Sequence, residues 1–223
     1  MKLTDFKVFL ILLVAFQLVS CKKEENKGGS IAEQAEAKLP YFGTADFTPQ
    51  WEKVQHRIPD FSFFNQNGEK VSNANYTGKI YIADFFFTSC PGICPKLTKH
   101  MGELQEIYRN DPEVVLLSHS VMPWYDTVEV LKEYAEENGV DDSTWDLVTG
   151  EQSAIYKIAR EGYFADEDFA KTQVESKFIH TENFILVDSE GYIRGVYNGT
   201  LEMELARLKR HIALLKKEKE AKG

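Results

Sequence analysis

Two cysteines separated by three residues, in the segment Cys90-Pro91-Gly92-Ile93-Cys94-Pro95, are the residues of this chain best suited to chemistry. Three intervening residues, with a glycine among them, let the two sulfurs converge on one point, where they can bond to each other or hold a soft metal ion. Pro95 has no N–H to donate, and the first turn of a helix is where that loss costs nothing. We therefore predict a helix that begins near Cys94, with Cys90 on the loop before it.

The residues before the pair predict a position that makes the thiols reactive. The apolar run from Ile80 to Phe87 predicts a strand buried on both faces of a covered sheet, near its centre. Sites in open α/β sheets are built where such strands end, and a helix start there favours thiolate over thiol. We therefore expect a redox pair or a metal-binding pair rather than a structural disulfide. Zinc fits less well, because structural zinc takes four protein ligands and no second cysteine pair exists.

The rest of the sequence predicts the elements that must position this pair. A hairpin is predicted over 61–71, with Asn67-Gly68 at its turn. Apolar periodicity predicts helices over 97–108, 127–138, 151–160 and 201–217, and short apolar runs predict strands over 114–117, 145–148, 184–187 and 192–197. Strands that alternate with helices and end in an antiparallel hairpin predict an α/β fold with a mixed sheet covered by helices on both faces. The thioredoxin fold has this order of elements.

The first 20 residues have the pattern of a secretory signal peptide. Lys2 and Lys7 precede an apolar run of about 12 residues, which is short of the roughly 20 that a membrane-spanning helix needs. The segment Leu18-Val19-Ser20-Cys21 resembles the bacterial lipobox, which implies cleavage before Cys21 and attachment of lipid to it. An uncleaved anchor helix is the alternative. In both cases we predict a domain outside the cytoplasm, and the lipobox implies a cell-envelope protein that is lipid-anchored to a bacterial membrane.

The chain then divides into a signal peptide over 1–20, a polar flexible tether over 21–39 and one folded domain over 40–223, with Phe47 and Trp51 as aromatic anchors near its start. The formal charge of the whole chain is -9. Loss of Lys2, Asp5 and Lys7 removes +1 and leaves -10. Because an acidic surface repels phosphate backbones, this charge argues against a nucleic-acid partner.

From Ile58 to about Thr200 the sequence resembles the Sco/SenC family. Beside the cysteine loop, the segments that carry the resemblance are 58–61, 66–68, 120–127, 147–150 and 179–181. The resemblance implies a thioredoxin-like metallochaperone that assists assembly of the dinuclear copper centre of a cytochrome oxidase. By position it implies copper, as Cu(I) or Cu(II), held by Cys90, Cys94 and His180. Two thiolates and an imidazole also suit copper on chemical grounds. The implied partners are a copper-receiving oxidase subunit and a copper donor protein or thiol reductant.

Three other residues have two interpretations each. Asp126 matches a family aspartate that can hydrogen-bond a ligand or contact the partner, and it can equally be the N-cap of the helix that follows. Met122 stands where family members usually have aspartate, and its thioether can lie near copper or pack in the core. His119 ends a predicted strand, where it can approach the site or serve as a hydrogen-bonded structural residue.

Three other functions remain open on the same fold. A thiol-disulfide reductase for cysteines of an oxidase subunit would use Cys90 and Cys94 without storing metal. A peroxiredoxin-type peroxidase would have threonine three residues before its reactive cysteine, whereas Phe87 occupies that position here. A redox sensor is the third. We favour copper binding for two reasons. Three residues separate the cysteines, rather than the two usual in thioredoxins, and the family resemblance implies His180 as a third ligand.

Overall fold

The computed structural model of the chain describes residues 38–166, 179 and 181–221, and nine strands of these residues form one sheet. The strands are β1 (Tyr41–Phe42), β2 (Pro49–Gln50), β3 (Ser62–Asn65), β4 (Lys70–Ser72), β5 (Ile80–Phe86), β6 (Val114–Ser120), β7 (Trp145–Thr149), β8 (Asn183–Val187) and β9 (Ile193–Asn198). The helices are α1 (Asn73–Tyr76), α2 (Cys94–Tyr108), α3 (Val128–Asn138), α4 (Gln152–Lys157) and α5 (Glu202–Glu220).

The strand that leads to the cysteines lies at the middle of the sheet, as predicted. The strand order is β2-β1-β9-β8-β5-β6-β7-β3-β4, and all seven residues of β5 are buried. Strand β5 pairs in parallel with β6 and antiparallel with β8, while β3 pairs antiparallel with β7. A strand with neighbours on both edges and helices on both faces has no solvent-exposed side, which explains why its sequence is apolar except at Asp84.

Two apolar clusters cover the two faces of the sheet and confirm the predicted fold class. One cluster joins the sheet to residues of α2, α3 and α5, including Leu97, Leu131 and Leu208. The other joins it to α1 and to the segment that contains α4, including Tyr76 and Ile155. The sheet is therefore mixed and covered by helices on both faces.

Three local features differ from the sequence-based predictions. The helix predicted over 151–160 is α4 followed by a π-helical turn, Ile158–Gly162. At its end a Cβ on Gly162 would lie only 2.9 Å from Ile158 and 3.0 Å from Pro59, so glycine permits this close approach. Strands β1 and β2 were not predicted, because two residues are too few for an alternating pattern. The prediction that Trp51 anchors the domain is wrong, since its side chain is 57% exposed.

Arg194 fixes the start of the folded chain to its end. Its buried guanidinium donates to the carbonyl oxygens of Leu39 and Pro40 at 2.7 and 3.0 Å, and it forms ion pairs with Asp188 and Glu218 at 3.0 and 2.8 Å. The Leu39 amide donates to the same Glu218 carboxylate. The chain is therefore held firmly from Leu39, close to the predicted domain start at residue 40. The predicted signal peptide, the lipidation residue Cys21 and most of the predicted tether lie outside the described residues.

Among the described residues, no helix combines the length and apolar character needed to cross a membrane.

Candidate functional site

The cysteine pair lies where β5 ends and α2 begins, as predicted. Helix α2 starts at Cys94, with Pro95 in its first turn, and the amide of Cys90 donates to the carbonyl of Phe87 at 3.3 Å in the loop between. Both thiols are free. Cys94 is buried against the apolar cluster under α2, whereas Cys90 is partly exposed. One sulfur is therefore open to a partner and the other is shielded.

The surroundings of the two thiols drive their pKa values in opposite directions. Burial raises the pKa of Cys90, but hydrogen bonds from the Cys94 thiol and from the backbone of residues 92–94 outweigh it, so the pKa of Cys90 is lowered. Burial, followed by the hydrogen bond to Cys90, raises the pKa of Cys94 to about 12. Cys90 is therefore the thiolate that reacts first with an electrophile or a soft metal ion, and Cys94 keeps its proton until that proton is displaced.

A buried carboxyl group lies in the strand beneath the pair, and the sequence analysis did not identify it. Asp84 of β5 is 2% exposed, and its Oδ1 has no hydrogen-bond partner. Burial raises the pKa of Asp84 to about 7, and its charge contributes to the raised pKa of Cys94. An acidic residue inside an otherwise apolar strand was the available signal.

Cys90 and Cys94 line an apolar cavity of about 340 Å³. The residues that line it come from the end of β5, the cysteine loop, the end of β6 and the segment before β8: Phe85, Phe87, Cys90, Pro91, Gly92, Ile93, Cys94, Val121, Ile179 and Thr181. His180, the predicted third ligand, lies outside the described residues, but Ile179 and Thr181 flank it in the sequence. Met122 is partly buried and is not among the lining residues.

Asp126 holds the cysteine loop through Thr88. The Asp126 carboxylate is fully buried and accepts hydrogen bonds from the Thr88 amide at 3.2 Å and the Thr88 hydroxyl at 2.6 Å. The hydroxyl of Ser120, at the end of β6, donates to the same carboxylate. The alternative that Asp126 is a helix N-cap is wrong, because Thr127 is the N-cap of α3. Asp126 thus fixes the loop two residues before Cys90, as a positioning group for the thiol.

His119 does not line the cysteine cavity; it is a structural residue, as one of its two interpretations expected, but the expected hydrogen bond is absent. Neither ring nitrogen has a hydrogen-bond partner, although the residue is fully buried. Its ring packs among those of Phe85, Tyr163, Phe63 and Phe61, at centroid distances of 5.0, 5.2, 5.8 and 6.1 Å. Burial lowers the pKa of His119 to about 3, so this imidazole is neutral at ordinary pH.

Replacement of His119 by phenylalanine is expected to stabilise the domain. The substitution removes two unpaired buried nitrogens from an aromatic cluster, which is worth about 1–3 kcal/mol at pH 7. The folded-state pKa of His119 lies below the ordinary value of 6.5. Protonation of His119 in the unfolded chain therefore lowers the stability of the parent protein as pH falls from about 6.5 toward 3, and it has no effect above that range. Urea unfolding of both proteins from pH 7 to pH 4 should therefore show the advantage of His119→Phe increasing as pH falls. A constant or shrinking advantage would contradict the assignment.

Within the described part of the chain, no three His, Cys, Asp or Glu residues are grouped so that they could hold a metal ion. Cys90 and Cys94 supply two soft donors. Two thiolates suit Cu(I), and a third nitrogen donor suits Cu(II). The donor chemistry therefore fits copper, with its third predicted member outside the described residues.

Comparison with known proteins identifies one family. The family profile described as SCO1/SenC matches residues 50–213. Over 148 residues the chain is 34% identical to the SCO1 protein homolog of Bacillus subtilis (strain 168). This alignment covers 66% of this chain and 76% of that protein.

Solved structures show the same fold. A SCO1/SenC family lipoprotein from Bacillus anthracis aligns with a TM-score of 0.63 at 28% identity over 73% of this chain and 96% of that one. BsSco is described as having a disulfide switch and as a member of the Sco family of cytochrome c oxidase assembly proteins. It aligns with a TM-score of 0.59 at 28% identity over 74% of this chain and 95% of that one. ScoI of Arabidopsis thaliana with copper bound aligns with a TM-score of 0.54 at 26% identity over 71% of this chain and 98% of that one.

Proposed function

This chain belongs to the SCO1/SenC family, and we propose that it is a copper metallochaperone that assists assembly of the dinuclear copper centre of a cytochrome oxidase. Cys90, Cys94 and His180 hold one copper ion as cargo, and an oxidase subunit receives it. The copper-bound Arabidopsis relative and the oxidase assembly role stated for BsSco support this assignment.

One observation carries the proposal. Cys90 and Cys94 line a single cavity together with Ile179 and Thr181, the two residues that flank His180 in the sequence. The partly exposed Cys90 gives an incoming ion or partner access, and the buried Cys94 adds a donor that water does not reach. Asp126 keeps the loop in the conformation that presents both sulfurs, through its bonds to Thr88.

We also propose that Cys21 carries lipid and that residues 21–39 tether the domain of residues 40–223 to the outside of a bacterial membrane. The lipobox at Leu18–Cys21 supports this assignment, and so does the Bacillus anthracis relative, which is described as a lipoprotein.

A second function, reduction of disulfides in an oxidase subunit, is favoured by the contrast between the two thiols. Its first step is attack by the Cys90 thiolate on a disulfide of the partner, which forms a mixed disulfide and releases one partner thiolate. In the second step Cys94 loses its proton and attacks Cys90, which releases the second partner thiolate and leaves Cys90 and Cys94 joined. A lowered pKa at the exposed sulfur and a raised pKa at the buried one suit these two steps.

Copper titration of the chain of residues 22–223 tests the first function. We expect one copper per reduced chain, at least about 100-fold weaker binding for Cys90→Ser or Cys94→Ser, and no binding when the two cysteines form a disulfide, because ligation needs both thiolates. Asp126→Asn should keep the stoichiometry and lower the affinity by about 10-fold or more, while Asp142→Asn, at an exposed carboxylate, is the matched control.

Negligible binding by the reduced parent chain would favour the reductase instead. Equal copper binding by the disulfide form would show that the ligands lie elsewhere. Unchanged affinity in Asp126→Asn would remove that residue from the site.

A further inference from the structure

The folded chain starts at the end of the sheet opposite to the cysteine pair. Strand β5 begins at Ile80, and the amide of Gly78, just before it, donates to Ser189 in the turn 188–191 at 3.1 Å. Arg194 and Glu218 hold Leu39 beside this turn. We call this end of the domain the tether pole, defined by Lys38, Trp51, Lys53, the turn 188–191 and Glu218.

The cysteines occupy the other end. Strand β5 runs from the tether pole to Phe86 over seven residues, which at about 3.3 Å each is about 23 Å. Cys90 lies in the loop that follows, where it lines one cavity with Phe87 and with Val121 at the end of β6. The apolar residues exposed near that end include Ile93 and Trp124, which are 41% and 55% exposed.

The tether pole exposes a tryptophan. Trp51 is 57% exposed, and its carbonyl accepts a hydrogen bond from Lys38 at 3.2 Å, next to the point where the tether joins the domain. Lys53, two residues further on, pairs with Glu190 of the turn. An indole ring has an apolar body and one polar N–H, so the layer between lipid headgroups and acyl chains is the environment that suits it best.

The charges on this pole permit contact with a membrane. The exposed cationic side chains here are Lys38, Lys53 and Arg57, and the exposed carboxylates are those of Glu52 and Glu190. The positive and negative charges of these five groups nearly cancel. The whole chain carries -9. An anionic bilayer therefore repels the rest of the surface more strongly than it repels the tether pole.

We propose that the domain rests on a phospholipid bilayer through the tether pole, with Trp51 in the headgroup layer and the cysteine pair turned toward the aqueous phase. The proposal rests on lipid attachment to Cys21. Residues 22–37 separate that residue from Lys38, and a chain of this length extends to at most about 55 Å. Such a length lets either end of the domain reach the bilayer, so the point where the tether joins the domain, at Lys38 beside Trp51, favours contact through the tether pole. In this orientation Cys90 faces a partner that projects from the membrane.

Fluorescence quenching by brominated lipid tests the orientation. The full lipidated protein is placed in vesicles of brominated phosphatidylcholine and phosphatidylglycerol, as the variants Trp124→Phe and Trp51→Phe. The first keeps Trp51 and the second keeps Trp124, two tryptophans of nearly equal exposure at opposite ends, while the 2%-exposed Trp145 remains in both as a common background. We expect Trp124→Phe to be quenched at least twofold more than Trp51→Phe.

Each other outcome overturns the orientation. Equal quenching, no quenching of either variant, or stronger quenching of the variant that keeps Trp124 would show that the domain does not rest on its tether pole. Mass spectrometry before reconstitution must find a diacylglyceryl group on Cys21, and its absence overturns both the lipid attachment and the orientation. Copper titration of the same samples keeps these failures distinct from a failure of the metallochaperone assignment.

Discussion

His180→Ala is expected to weaken Cu(II) binding at least about 100-fold while it changes Cu(I) binding by less than about 10-fold. Two thiolates already satisfy the linear coordination of Cu(I), whereas Cu(II) prefers more donors and an imidazole among them. Loss of a direct ligand should exceed the 10- to 100-fold effect typical of groups that only orient a ligand. Cys90→Ala or Cys94→Ala should damage both oxidation states.

Competition titrations with Cu(I) and Cu(II) chelators, together with the sulfur-to-Cu(II) charge-transfer absorption, measure this difference. The absorption of His180→Ala should shift, and its unfolding curve should match that of the parent. His56→Ala is the matched control, because His56 hydrogen-bonds the carbonyl of Gly162 and does not line the cysteine cavity. If His180→Ala binds Cu(II) with the parent affinity and spectrum, the site loses its third donor.

Arg194→Met is expected to lower the free energy of unfolding by about 3–5 kcal/mol, the usual cost of removing one partner of a buried ion pair. The substitution leaves Asp188 and Glu218 without their cation, and it removes the donors to the carbonyl oxygens of Leu39 and Pro40. For a domain of this size the melting temperature should fall by about 6–20 °C.

Thermal and urea unfolding of the chain of residues 22–223 measure the effect. Lys99→Ala is the control, since Lys99 and Glu103 form an exposed helical ion pair, and its loss should cost no more than about 0.5 kcal/mol. Arg194→Lys keeps the charge but loses the planar fork, so it should fall between the parent and Arg194→Met. Parent-like stability of Arg194→Met would mean that Arg194 does not bind the start of the chain to α5.

The long, strongly patterned elements were predictable from sequence because local chemistry decides them. The buried run of β5, Pro95 in the first turn of α2 and Gly139 at the end of α3 each act within a few residues. Gly139 adopts φ 66°, the left-handed conformation in which glycine commonly ends a helix. The π-turn after α4 was not predictable, because the contacts that shape it involve Pro59, about 100 residues away.

The residues of the site likewise fall into those that local sequence predicts and those that only contacts between distant segments decide. A cysteine pair between a buried strand and a helix could be recognised from spacing alone, because one loop brings the two sulfurs together. The aromatic rings around His119 come from three other segments of the chain, so no local sequence pattern predicts an imidazole without hydrogen bonds. The bonds from Thr88 to Asp126 also join distant segments, and the sequence left Asp126 with two interpretations.

By itself, therefore, the sequence determined the fold class, the position of the thiol pair at the end of the central strand and the family resemblance, since these depend on periodicity and on residues close together in the chain. Only the tertiary structure decided which sulfur is exposed, what holds the cysteine loop and at which end of the sheet Leu39 lies. Those properties depend on burial and on contacts between segments far apart in sequence. Burial raises the pKa of Cys94 and hydrogen bonds lower the pKa of Cys90, and the contacts of Arg194 with Leu39 and Glu218 place Leu39 at the end of the sheet opposite the cysteines.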